Sequence, residues 1–96
     1  MWKPIPFRPG SLGSESGIII GDEKYKNTCR VTMEKCPDYY AITCSVYGSL
    51  MHTVYCGETE YLSTYKAIKK ELANFTDRKT TEDEEYEFYE IFTNKY

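Results

Sequence analysis

No long hydrophobic run is present: the longest purely aliphatic stretch is Ile18-Ile19-Ile20, far short of the roughly 20 apolar residues that a membrane-spanning helix needs. The start, Met1-Trp2-Lys3-Pro4, has no apolar segment of signal-peptide length. Neither export nor membrane insertion is therefore expected, and the expected setting is cytoplasmic. Histidine is almost missing, with His52 alone, and the four cysteines (Cys29, Cys36, Cys44 and Cys56) contain no C-x-x-C pair. A zinc ion needs closely spaced ligands to grip it, so no metal site is expected. In a chain that is not exported, the cysteines are expected to be reduced thiols acting as small apolar side chains. Cys36, beside Pro37, is the one expected nearest the surface, although only Lys35 is close enough in sequence to lower its pKa.

Several chemistries are excluded by missing motifs. There is no G-x-x-x-x-G-K-[ST] loop, no G-x-G-x-x-G turn and no H-E-x-x-H helix. Gly10, Gly13 and Gly17 are too widely spaced to cradle a phosphate, so no cofactor is expected. No basic stripe is available to displace counterions from phosphate, which disfavours direct binding of nucleic acid.

What is there suits one folded unit. The chain has 96 residues, 41% hydrophobic and 28% charged, with ten tyrosines. Tyrosine offers flat apolar area with a polar tip, useful in small cores and at interfaces alike. Residues 1–17 are expected to form an extended N-terminal arm, because Pro4, Pro6 and Pro9 interrupt any helix and Ser11 to Gly17 is mostly Ser and Gly. Trp2, Ile5 and Phe7 give that arm a reason to lie on the body or on a second copy. Residues 18–96 are expected to form a single α+β domain.

From Thr28 the apolar residues alternate, the mark of a half-buried strand. The reading is a three- or four-stranded antiparallel meander, with strands near 28–35, 39–47 and 50–56 and an optional edge strand at 18–21. Asp22 and Glu23, next to Lys24 and Lys26, read as a solvated turn. Taking Pro37-Asp38 and Gly48-Ser49 as two-residue loops pairs Cys36 with Tyr39 and Tyr47 with Leu50. Cys29, Val31, Met33, Ile42, Cys44, Val46, Met51, Thr53 and Tyr55 then share the face that helices should cover. After Gly57 the period becomes helical, with Tyr61, Tyr65, Ile68, Leu72 and Phe75 forming one stripe. Helices are expected near 59–74, capped by Thr59, and near 81–94, started by the Thr81-to-Glu84 capping-box spacing. Tyr86, Tyr89, Phe92 and Tyr96 should form the second stripe, and both helices should pack on one sheet face.

Two surfaces carry the functional expectation. The assumed register puts Arg30, Ser45 and His52 in one row of the uncovered face with Tyr47 nearby, where Arg30 could pair an anion and Tyr47 could stack. No acid orients the imidazole and no oxyanion donors converge, so this row is read as a ligand site and not as a catalytic one. The second surface is electrostatic. Residues 82–96 hold one cation, Lys95, against Glu82, Asp83, Glu84, Glu85, Glu87 and Glu90, while the net charge of the whole chain is only -3. Such a helix complements its own dipole and also suits a basic partner. The expected function is a non-catalytic binding or protein-interaction module, of the kind that can serve as an inhibitor or neutralising partner of a larger protein. The alternatives are a small-ligand or nucleotide binder, with weak hydrolysis conceivable, on the open sheet face, and a self-assembling protein whose sheet edge or face pairs with a second copy as a homodimer.

Overall fold

The computed structural model describes residues 1–96. It is an α+β fold in two layers: a five-stranded antiparallel sheet and two C-terminal helices on one of its faces. The strands are β1 (Lys3–Pro4), β2 (Ile18–Tyr25), β3 (Cys29–Lys35), β4 (Tyr40–Val46) and β5 (Leu50–Cys56), and they lie in the sheet in chain order. The helices are α1 (Tyr61–Asp77) and α2 (Glu82–Lys95).

The sheet has one strand more than the upper expectation, because the arm contributes β1, paired to β2 through Lys3 with Lys24 and Pro4 with Glu23. Trp2 anchors this start by packing on Tyr25, with ring centroids 5.3 Å apart. β2 is also longer than expected. Its pairing with β3 shifts between Ile19 and Gly21, so Ile20 is an extra residue in a bulge and the period of two is broken there. Asp22 and Glu23 belong to β2 and not to a solvated turn. The turn comes after them, where Lys26 and Asn27 both have positive φ and the Thr28 amide donates to the Tyr25 carbonyl.

Register between β3 and β4 is the expected one, with Arg30 opposite Ser45 and Val31 opposite Cys44. Between β4 and β5 it is not, since Val46 pairs with Leu50 and Ser45 with Met51. The loop there has three residues, Tyr47 to Ser49, and the Ser49 amide donates to the Val46 carbonyl while Gly48 takes φ of +73°. That places Gly48 third in a four-residue turn, the position where a type II turn requires glycine. One added loop residue turns every side chain of β5 to the other face. Met51, Thr53 and Tyr55 are therefore on the open face, and Leu50, His52, Val54 and Cys56 are on the helix-covered one.

The core lies between that covered face and the helices. Val31, Ile42 and Cys44 from the sheet meet Ile68, Leu72 and Phe92 from the helices, all fully or almost fully buried. The stripe of α1 buries as its spacing predicts. Its start differs: Glu60, not Thr59, is the cap residue and makes no side-chain bond, and the Gly57 carbonyl accepts from the amides of Glu60 and Tyr61. The capping box of α2 forms, with the Glu84 amide donating to the Thr81 hydroxyl and the Thr81 amide to the Glu84 carboxylate. α2 turns its stripe toward α1 as well as the sheet, so Phe88 stacks on Phe75 at 4.1 Å and Tyr86 is left exposed. All four cysteines are free and buried. Cys36 is not the exposed one, because it lies beneath the arm, where a side chain at Gly17 would meet its Sγ at 2.6 Å. No helix is long and apolar enough to cross a membrane.

Candidate functional site

The open face is ordered in rows fixed by the ladder. One row runs Lys24, Arg30, Ser45, Met51, the next Asp22, Thr32, Thr43, Thr53, and a third ends with Glu34, Ala41, Tyr55. Arg30 and Ser45 thus meet as the sequence implies, and Tyr47 stands beside them at the turn. His52 does not join them. It faces the helices, 6.3 Å from Phe92 ring to ring, and its Nε2 is buried without a hydrogen-bond partner. The imidazole of the expected row is replaced by the thioether of Met51, and Ser45 has no proton acceptor among its row neighbours.

Arg30 is also committed. Its Nε and Nη2 donate to the two carboxylate oxygens of Asp22 at 3.0 and 2.6 Å, and Thr32 donates to the same carboxylate at 3.0 Å. Asp22 is buried, so this fork compensates its charge, and the bond to Asp22 raises the Arg30 pKa further. An anion at Arg30 would meet only the guanidinium hydrogens not bonded to Asp22, beside a carboxylate that offsets the charge. The sequence hid Asp22 because a charged strand reads as a turn; the signal available was its near-symmetry with Arg30 about Lys26-Asn27.

The arm occupies the far end of the same face. Glu34 is wholly buried there, its Oε1 accepting from the amides of Glu15 and Gly17 at 3.1 and 3.0 Å. Gly13 lies so close that a Cβ would run into the Glu34 carboxylate, so a glycine is required to let the loop close over it. Tyr55 donates to Glu15 at 2.5 Å, and Ser14 contacts Thr43 at 3.4 Å. Two shallow cavities remain beside the arm. One, of about 320 Å³, is bordered by Leu12, Thr32, Thr43, Ser45 and Met51; the other, of about 310 Å³, by Ile5, Lys24, Arg30, Ser45 and Tyr47.

Nucleophilic chemistry finds no assembly. Burial pushes the Cys44 thiol up to about 12 and raises those of Cys29 and Cys56, which keeps them protonated at neutral pH. No three His, Cys, Asp or Glu side chains converge to hold a metal ion.

The six acidic residues of α2 are exposed or half-buried, and none takes part in an ion pair. Elsewhere Asp22, Glu23, Glu71 and Asp77 all have a Lys or Arg partner. Glu84 serves the cap, and Glu85 accepts from Thr80 at 3.5 Å. Between α1 and α2 a groove of about 320 Å³ is rimmed by Glu71, Glu84 and Glu87 with Ile91 exposed beside them.

The remaining surface is β5 itself, which sequence reasoning did not single out because the identity of the edge strand is a property of topology. Its outer side has no partner within the chain. On its open face Met51 is 78% exposed and Tyr55 60%. The chain matches no protein-family model, no curated protein and no solved structure.

Proposed function

We propose that this protein is a non-catalytic protein-interaction module that takes an extended segment of its partner as an added strand against β5. One observation carries the reading: an edge strand of seven residues, Leu50–Cys56, contains no Asp, Glu, Lys, Arg or Pro and no bulge, and it exposes Met51 and Tyr55. Edge strands normally carry a charge, a proline or a bulge that prevents pairing, so a strand lacking all three is suited to accept a partner. Main-chain bonds then supply affinity, and alternate side chains supply selectivity.

The test is selection of peptides from a displayed library of random ten-residue sequences, followed by NMR mapping on labelled protein. Extended peptides that shift the amides of Leu50 to Cys56 support strand addition. Peptides that shift only other residues, or no binding peptides at all, overturn it.

The acidic helix supports a second docking surface, since six carboxylates are gathered on it without a cationic partner. A basic peptide such as octa-arginine should bind with strong salt dependence. Exchanging Glu84, Glu85 and Glu87 for Gln should weaken that binding at least tenfold; the Gln at position 84 still completes the capping box, so the fold is kept. Unchanged affinity would remove this surface.

A further inference from the structure

Resting on the strand-addition reading, we infer that the segment filling the β5 edge is β5 of a second copy of this chain, the two strands running antiparallel about a two-fold axis at Thr53. The sequence of the strand is complementary to itself about that residue. Antiparallel pairing centred on Thr53 sets Met51 opposite Tyr55 of the other copy on the open face, twice by symmetry. On the helix face it sets His52 opposite Val54 and Leu50 opposite Cys56. Thioether-on-aromatic and apolar pairs are favourable across strands. Thr53 meets its own counterpart, a hydroxyl pairing of the kind it already makes with Thr43 at 3.3 Å. No formal charge lies on the strand itself, so the paired ladder brings no like charges opposite each other.

Symmetry also disposes of the acidic helices. α2 begins beside the β4–β5 turn, where Gly48 and Ser49 border one cavity with Glu82 and Glu85. An axis at Thr53 sends the two turns to opposite ends of the paired strands, roughly 30 Å apart along them. That is several Debye lengths at physiological salt, about 8 Å each. The self-pairing surface is isologous and closed, so it ends at a dimer with a ten-stranded sheet. Pairing the two strands and covering Met51 and Tyr55 on both copies removes on the order of 1,000 Å² of surface, the lower bound of specific interfaces. The dimer is accordingly concentration-dependent.

Light scattering after size exclusion, over a rising protein concentration, reads the mass directly. The wild-type mass should climb from the 11.2 kDa of one chain toward twice that value. A Met51→Lys, Tyr55→Lys variant, folded by circular dichroism, should need at least tenfold more protein to do so. Register is read by oxidation of single cysteine variants. Thr53→Cys should form a disulfide-linked dimer, because cross-strand partners lie about 4.5–5.5 Å apart, within disulfide reach. Met51→Cys should not, since its counterpart lies about 13 Å away along the pair. A monomer at every concentration overturns the inference: if library peptides still shift Leu50 to Cys56, strand addition stands with another occupant, and if they do not, both fall together. A dimer unaffected by the two lysines, or cross-linked equally well by Met51→Cys, overturns the proposed pairing.

Discussion

The two edges of the sheet are built on opposite plans. At the β1 edge the last strand has only two residues, one of them Pro4, which has no amide hydrogen to offer, and the other Lys3. The neighbouring β2 is bulged at Ile20 and carries Asp22, Glu23 and Lys24. Each feature opposes further pairing. At the β5 edge there are seven unbulged residues without a formal charge, and the strand has the composition of a central one. The difference teaches that the sheet is terminated on one side and left open on the other, and that the two sides are held by different forces. Polar anchors hold β2: Arg30 and Thr32 on Asp22, Lys69 and Tyr65 on Glu23, and Tyr25 and Lys26 on Asp77. Apolar cover holds β5, from Phe92 beneath its helix-facing side.

That contrast can be broken at either side. Phe92→Ala should destabilise the fold by about 3–5 kcal/mol through lost burial and the cavity left behind. Urea unfolding measures it, and amide exchange should show β5 loosening more than β2. Asp22→Ala should cost about 2 kcal/mol, because it strips the fork from Arg30 and the acceptor from Thr32; here exchange should rise first in β2. Acid should act in the same direction with a smaller effect. Burial works against ionisation of Glu23, but the bonds from Lys69 and Tyr65 outweigh it and leave the pKa below its ordinary value of 4.5. The bonds from Lys26 and then Tyr25 hold Asp77 below its ordinary value of 3.8. A carboxylate whose pKa is lowered by folding contributes stability that is fully present above the ordinary value and is lost as pH falls through the lowered one. Protection factors in β2 should therefore drop in that acid range before those in β5, which has no carboxylate of its own.

Much of this architecture was legible because it is written locally. The helical stripes of α1, the capping box of α2 and the alternation in β3 and β4 each need only a short window of sequence, and so does the acidic content of α2. β2 was only partly legible because Ile20 breaks the alternation and because its charges look solvated until their partners, eight to forty-six residues away, are known. The candidate row failed at one residue. Reading Gly48 as the first residue of a two-residue loop put His52 beside Ser45, whereas Gly48 third in a four-residue turn puts Met51 there. The apolar Leu50, Val54 and Cys56 share a parity, and that pattern favoured the second choice.

The strand order has a consequence for how the molecule comes into being. From β2 onward every strand lies beside its predecessor across a short turn, so each hairpin can close as soon as its second half has left the ribosome, and these pairings are short-range ones that form quickly. The apolar layer has no such early completion. Val31, Ile42 and Cys44 stay bare through the synthesis of all five strands, and Phe92, near the end of α2, is among the last side chains to reach them. The nascent sheet thus has its hydrogen bonds before it has its cover, and α2, translated after all five strands, completes the core.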